Sequence, residues 1–148
     1  MKKASSKVLL LDVNVLLAIA WPNHQFHRAA TGRLEGTKER WATCALTQLG
    51  FIRLSSNPEA IPTAKSPAEA AAMLAAMIRD PMHVYLESLP SPVEKGFLRI
   101  FGPILDSKQV TDAYLVMLSQ RHRARFVTFD ARLKALAGSE TETEILGA

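Results

Sequence analysis

Two short apolar runs constrain this chain more than any other feature. Residues 8–11 (Val-Leu-Leu-Leu) and 126–129 (Phe-Val-Thr-Phe) are uninterrupted by charge, and each stops at an aspartate, Asp12 and Asp130. A strand with one wet face alternates polar and apolar residues. A run that does not alternate reads as a strand buried on both faces, the signature of a parallel sheet covered by helices on either side.

The intervening sequence supplies the helices. Helical spacing begins at about Val15. A further β-type run at Trp41, Ala42 and Thr43 is followed by a helix carrying Leu49, Phe51, Ile52 and Leu54, with Thr47 as its expected N-cap and Asn57-Pro58 as its stop. Ser66, Pro67 and Glu69 form a capping box with proline at the first helical position, ahead of an alanine-rich helix that Asp80-Pro81 ends. A short strand is expected over 83–86 and a helix over 94–101, broken by Gly102-Pro103. Thr111-Asp112 opens a helix with Tyr114, Leu115, Met117 and Leu118 on its apolar side. Strand and helix alternate, so the expected architecture is a single-domain α/β/α sandwich with a mainly parallel central sheet. Residues from about 139 to 148 form an acidic tail, read either as an edge strand or as a frayed end.

At 148 residues the chain is long enough for one sizeable core. Its only cysteine, Cys44, has no partner for an internal bridge and is too few for a thiolate zinc cage, which fits a reducing, cytoplasmic setting. The basic start Met1-Lys2-Lys3 and the apolar stretch after it imitate a signal peptide. Asp12 and Asn14 interrupt that stretch, and no later run reaches the ~18 apolar residues of a membrane span. The expectation is a soluble protein without a membrane segment.

Net charge is +4, unevenly placed: all 18 Lys and Arg precede Ala135, whereas Glu140, Glu142 and Glu144 sit in the last nine residues. A cationic body attracts polyanions. Arg121, Arg123, Arg125, Arg132 and Lys134 crowd around Asp130 and are candidate contacts to nucleic-acid phosphates, although a solvated helix end is the commoner reason for such a run. Trp21, Phe26 and Trp41 offer rings for base stacking, but each adjoins an apolar run and is expected in the core.

Against that basic background stand only five aspartates. In a parallel sheet Asp12 and Asp130 share the edge at the strands' carboxyl ends, where ligands of such folds gather, and Asp112 in the first turn of its helix can face the same edge. Two unit charges ~4 Å apart repel by about 4 kcal/mol at an effective dielectric of 20. A carboxylate cluster therefore calls for a cation, and Mg²⁺ takes carboxylates, waters and phosphate oxygens. Taken singly, each aspartate is better explained by strand termination or helix capping; only the three together favour a metal site.

The segment Val8-Leu-Leu-Leu-Asp12-Val-Asn14-Val-Leu-Leu-Ala18 resembles the opening motif of PIN-domain ribonucleases. Residues 41–58, Thr111-Asp-Ala-Tyr-Leu115 and Phe126-Val-Thr-Phe-Asp-Ala-Arg-Leu133 resemble the corresponding segments of VapC-type toxins, in the same order and spacing. The resemblance implies an α/β/α fold and an endoribonuclease whose acidic residues, here Asp12, Asp112 and Asp130, bind Mg²⁺ or Mn²⁺. It also implies a cognate antitoxin and a homodimer. The family's second acidic position falls at Gln48, an amide, so an alternative is a catalytically weakened module that binds RNA or antitoxin. Glu35 and Glu39 are candidate substitutes but lie in a polar, solvated stretch. Asn14 and Thr128, two residues from Asp12 and Asp130, are accessory candidates. A reading of Asp12 as a phosphotransferase nucleophile wants a second aspartate where Asn14 stands.

Overall fold

The computed structural model describes residues 7–102, 106–137 and 142–147. Among them five strands, β1 (Leu9–Leu11), β2 (Trp41–Cys44), β3 (His83–Leu86), β4 (Arg125–Thr128) and β5 (Thr143–Ile145), pair side by side in the order β3-β2-β1-β4-β5. Every pairing is parallel. Helices α1 (Val13–Ala20), α2 (His27–Leu34), α3 (Ala45–Ser55), α4 (Pro67–Met77), α5 (Lys95–Leu98), α6 (Val110–Arg121) and α7 (Leu133–Ala137) make the crossovers.

The pleat sends successive strand residues to opposite faces. Leu9, Leu11, Trp41 and Val127 pack with residues of α1 to α4, including Leu16, Phe51 and Leu74. Leu10, Ala42 and Phe126 pack with Phe97, Leu115, Leu118 and Leu133 of α5 to α7. All three residues of β1 have no exposed surface, which is why that run carries no polar alternation. No helix among the described residues is long and apolar enough to cross a membrane.

Two strands pass into helices without a loop. α1 starts at Val13, two residues earlier than its spacing suggests, because Asp12 is its N-cap and Asp12 Oδ1 accepts the Val13 amide at 2.7 Å. α3 starts at Ala45, with Cys44 as N-cap. Thr47 is therefore not the cap: it stands three residues in, and its hydroxyl accepts the Cys44 amide at 3.0 Å, fastening the turn from inside. The Ser66–Glu69 capping box forms as expected. The helix expected over 94–101 divides into α5 and a 3₁₀ turn, Arg99–Phe101. Pro103, expected to break it, lies outside the described residues.

The acidic end of the chain is an edge strand. β5 pairs with β4, and Glu144 receives two hydrogen bonds from the Arg33 guanidinium, at 2.6 and 3.0 Å. Arg33 also bonds Glu39, and Arg125 lies within ion-pair distance of Glu39, Glu142 and Glu144. The charge expected on a separate tail is thus neutralised against the body, except that Glu140 lies outside the described residues.

Candidate active site at the ends of β1 and β4

From β1 the chain runs outward through β2 to β3, then returns to lay β4 on the other side of β1. Strand order reverses between β1 and β4, and in open α/β sheets the crevice at such a reversal is where ligands bind. Asp12 follows β1 and Asp130 follows β4 by two residues, so both reach that crevice. α6 runs back against the sheet and brings Asp112, in its first turn, to the same place. The three aspartates line one cavity of about 460 Å³, together with Asn14, Gly50, Arg53, Lys108 and several leucines.

The floor is hydrogen-bonded across the two strands. Thr128 donates its hydroxyl to Asp12 Oδ2 at 2.7 Å, and Thr128 Oγ1 in turn accepts the Asn14 side-chain amide at 3.2 Å and the Asp130 backbone N–H at 3.1 Å. Asn14 in turn accepts the Phe129 amide at 3.2 Å. Asn14 and Thr128, singled out in the sequence only by spacing, are the clamp that sets the Asp12 carboxylate. That carboxylate is buried, 5% exposed.

The electrostatics follow. Burial pushes the Asp12 carboxyl above its ordinary range, against the lowering effect of the Thr128 and Val13 hydrogen bonds. Asp112 is pushed up to about 6, first by burial and then by the charges of Asp12 and Asp130. Asp130 is held low, chiefly by Arg132, whose Nε and Nη2 bond its two oxygens at 3.0 and 2.8 Å. Among the described residues no group of three or more His, Cys, Asp and Glu side chains is placed to hold one metal ion. Arg132 thus bonds both oxygens of Asp130.

Other sequence candidates lie elsewhere. Gln48 does not line the cavity; its amide donates to Thr43 Oγ1 at 3.0 Å, and Thr43 in turn bonds His83. Glu39 belongs to the Arg33 network and Glu35 is exposed. Of the four arginines, only Arg132 reaches the acidic cluster. Arg121 pairs with Glu94 and lies over the Phe97 ring; nine residues of α6, roughly 14 Å of helix, separate it from Asp112. Arg125 begins β4 at the opposite edge of the sheet, and Arg123 follows the end of α6. Trp21 and Trp41 are core residues whose indoles donate to Ser55 and Asp80, and Phe26 stacks on Phe129. Arg53 and Lys108, which line the cavity, carry no sequence signal beyond their type.

An all-parallel sheet with three aspartates lining the crevice at its switch point defines an α/β protein with an acidic crevice. The chain belongs to the PIN-domain family, whose model matches residues 9–139. Within that family it is of the VapC type. It is 39% identical over 137 residues to Ribonuclease VapC38 of Mycobacterium tuberculosis, covering 92% of this chain and 94% of that one, and 40% identical over 132 residues to Ribonuclease VapC44 of the same organism, covering 86% and 89%. Among solved structures, VapBC2 of Rickettsia felis bound to a promoter DNA fragment superposes with a TM-score of 0.65 at 11% identity, over 95% of this chain and 99% of that one. FitAcB of Neisseria gonorrhoeae superposes with a TM-score of 0.60 at 18% identity, over 92% and 96%. These two likenesses concern the fold.

Proposed function

We propose that this chain is the toxin of a toxin–antitoxin pair and acts as a metal-dependent endoribonuclease that hydrolyses RNA phosphodiester bonds. The observation that carries this reading is the meeting of Asp12, Asp112 and Asp130 in one cavity, from parts of the chain about 120 residues apart, in a relative of proteins named ribonucleases. The donors suit a hard divalent cation: they are carboxylate oxygens, and the Asp112 carboxyl is raised first by burial and then by the charges of Asp12 and Asp130.

Asp12 and Asp112 would hold Mg²⁺ or Mn²⁺, with Asp130 joining if Arg132 releases it. Such an ion supplies an activated water and offsets the negative charge that develops on the phosphate. The chain's own residues do the rest. Thr128 and the Val13 amide each fix one Asp12 oxygen. Asn14 ties the turn after β4 to the start of α1, so that Asp130 keeps its distance from Asp12.

The antitoxin partner is supported by the toxin–antitoxin complexes among the structural neighbours. It would lay a helix or extended segment into a groove of this protein. A homodimer belongs to the same reading. The alternative, a module that binds RNA or antitoxin without cutting, rests on the amide at Gln48, which bonds Thr43 outside the cavity and adds no negative charge to it.

The test is incubation of the purified protein with total RNA and Mn²⁺ or Mg²⁺, with EDTA and with Asp12→Asn and Asp112→Asn alongside. Cleavage should require the metal and both carboxylates. Cleavage that survives chelation and both substitutions would sink the assignment, and RNA binding without cleavage would favour the alternative.

A further inference from the structure

Arg53 and Lys108 enter the acidic cavity from opposite layers of the sandwich: Arg53 from α3, on the face packed by α1 to α4, and Lys108 from the turn that leads into α6, on the other face. Both are exposed, and among the described residues neither side chain makes a hydrogen bond or ion pair. That is unusual beside three aspartates. Among the described residues the cation that pairs with the cluster is Arg132, on Asp130. Arg121 and Arg125, two of the other arginines close to Asp130 in sequence, are held in ion pairs with glutamates away from the cavity.

Arg53 also has a neighbour of a different kind. Leu46, Leu49 and Arg53 follow one another at helical spacing on α3, all three line the cavity, and Leu49 is 61% exposed. An exposed apolar side chain one turn from an unpaired guanidinium suits a single nucleic-acid strand, whose bases or riboses meet the leucine while its phosphates meet the cations.

We propose that Arg53 and Lys108 are the residues that grip the RNA backbone at this site, each contacting one phosphate beside the scissile one, and that Arg121, Arg123 and Arg125 do not contribute. The inference rests on the ribonuclease reading above and assigns the substrate's path across it: from α3, over the aspartates, to the turn before α6. Both are positioning residues, acting on the strand and not on the reacting atoms.

The experiment measures binding of a short fluorescein-labelled single-stranded RNA of mixed sequence by anisotropy across a potassium chloride series, in an Asp12→Asn background that does not cut. Each phosphate contact contributes about 0.7 to the slope of log affinity against log salt for a single strand. Arg53→Ala and Lys108→Ala should each lower that slope by about 0.7 and the double variant by about 1.4, while Arg53→Lys keeps the parent slope. Arg121→Gln and Arg123→Gly should leave it unchanged. If the two cations merely balance the aspartates, their removal strengthens Mn²⁺ binding but spares the slope; that result, or a slope lowered instead by Arg121→Gln, overturns the proposal while leaving the ribonuclease reading intact. An Asp12→Asn protein that binds no RNA overturns both.

Discussion

Thr128 and Asp12, 116 residues apart, are joined by a hydrogen bond of 2.7 Å that spans the reversal point of the sheet. Thr128 is fully buried at the end of β4, so its hydroxyl has no water to turn to, and Asp12 is its acceptor. Replacing Thr128 by valine keeps the shape and deletes the donor, leaving a buried carboxylate oxygen unsatisfied. The expected cost is about 1–3 kcal/mol in urea unfolding, with Thr128→Ser close to the parent. RNA cleavage should fall with the valine and recover with the serine.

The site should also set how the metal-free protein responds to pH. Asp112 is pushed up to about 6 from an ordinary value near 3.8. The folded state then binds the proton more tightly than the unfolded state, so the stability this group contributes is fully present below about pH 4 and is lost as pH rises through about 6. For a half-buried group screened by solvent the loss is about 1 kcal/mol. Asp112→Asn removes it: in EDTA the variant should match or exceed the parent in urea midpoint above pH 6, and its advantage should shrink toward pH 4. A variant that is less stable than the parent across the whole range would contradict this account.

Gly50 allows α3 to approach the first residue of α1. A Cβ built there would lie 2.6 Å from Val13 Cγ2, and Val13 follows Asp12 directly. Gly50→Ala should therefore cost about 1–3 kcal/mol through overpacking and lower cleavage by shifting the Asp12 cap. Combining it with Val13→Ala, which removes the obstructing methyls, should recover a measurable part of the stability in the same unfolding assay.

Arg123 closes α6 in the left-handed region, φ 56°, where Ala124 N–H bonds Ser119 C=O and Arg123 N–H bonds Gln120 C=O. This is the position at which glycine is strongly favoured, because a Cβ is strained there. Arg123→Gly should raise stability by roughly 0.5–1 kcal/mol, measured by thermal unfolding, without loss of RNA binding.

The legible residues were those marked by the ends of elements. Asp12 and Asp130 each terminate an apolar run, Asp112 opens a helix, and a parallel sheet takes such positions to one edge; Asn14 and Thr128 lie within two residues of them. Proximity in sequence and family position are poorer guides to what lines the cavity. Arg125 is five residues from Asp130, yet a four-residue strand carries the chain roughly 13 Å from one edge of the sheet to the other. Gln48 sits on the helix beside the cavity, but its side chain points to Thr43. The direction of a side chain on a short helix is set by what packs against it, and Arg53 and Lys108 could not be told from other surface cations until α3 and α6 were set on opposite faces of the sheet.

By itself the sequence determined the class of fold and its acidic edge, because short apolar runs alternating with helical segments fit strands buried on both sides and two of those runs end in a carboxylate. The tertiary structure decided which charges meet. It reversed strand order between β1 and β4, turned Arg132 onto Asp130, tied Glu144 and Glu142 of the acidic end to Arg33 and Arg125, and left Arg53 and Lys108 facing the aspartates. Charge interactions fall off within about 10 Å in salt, so which charges act together depends on where the chain returns in space, a distance that sequence separation does not encode.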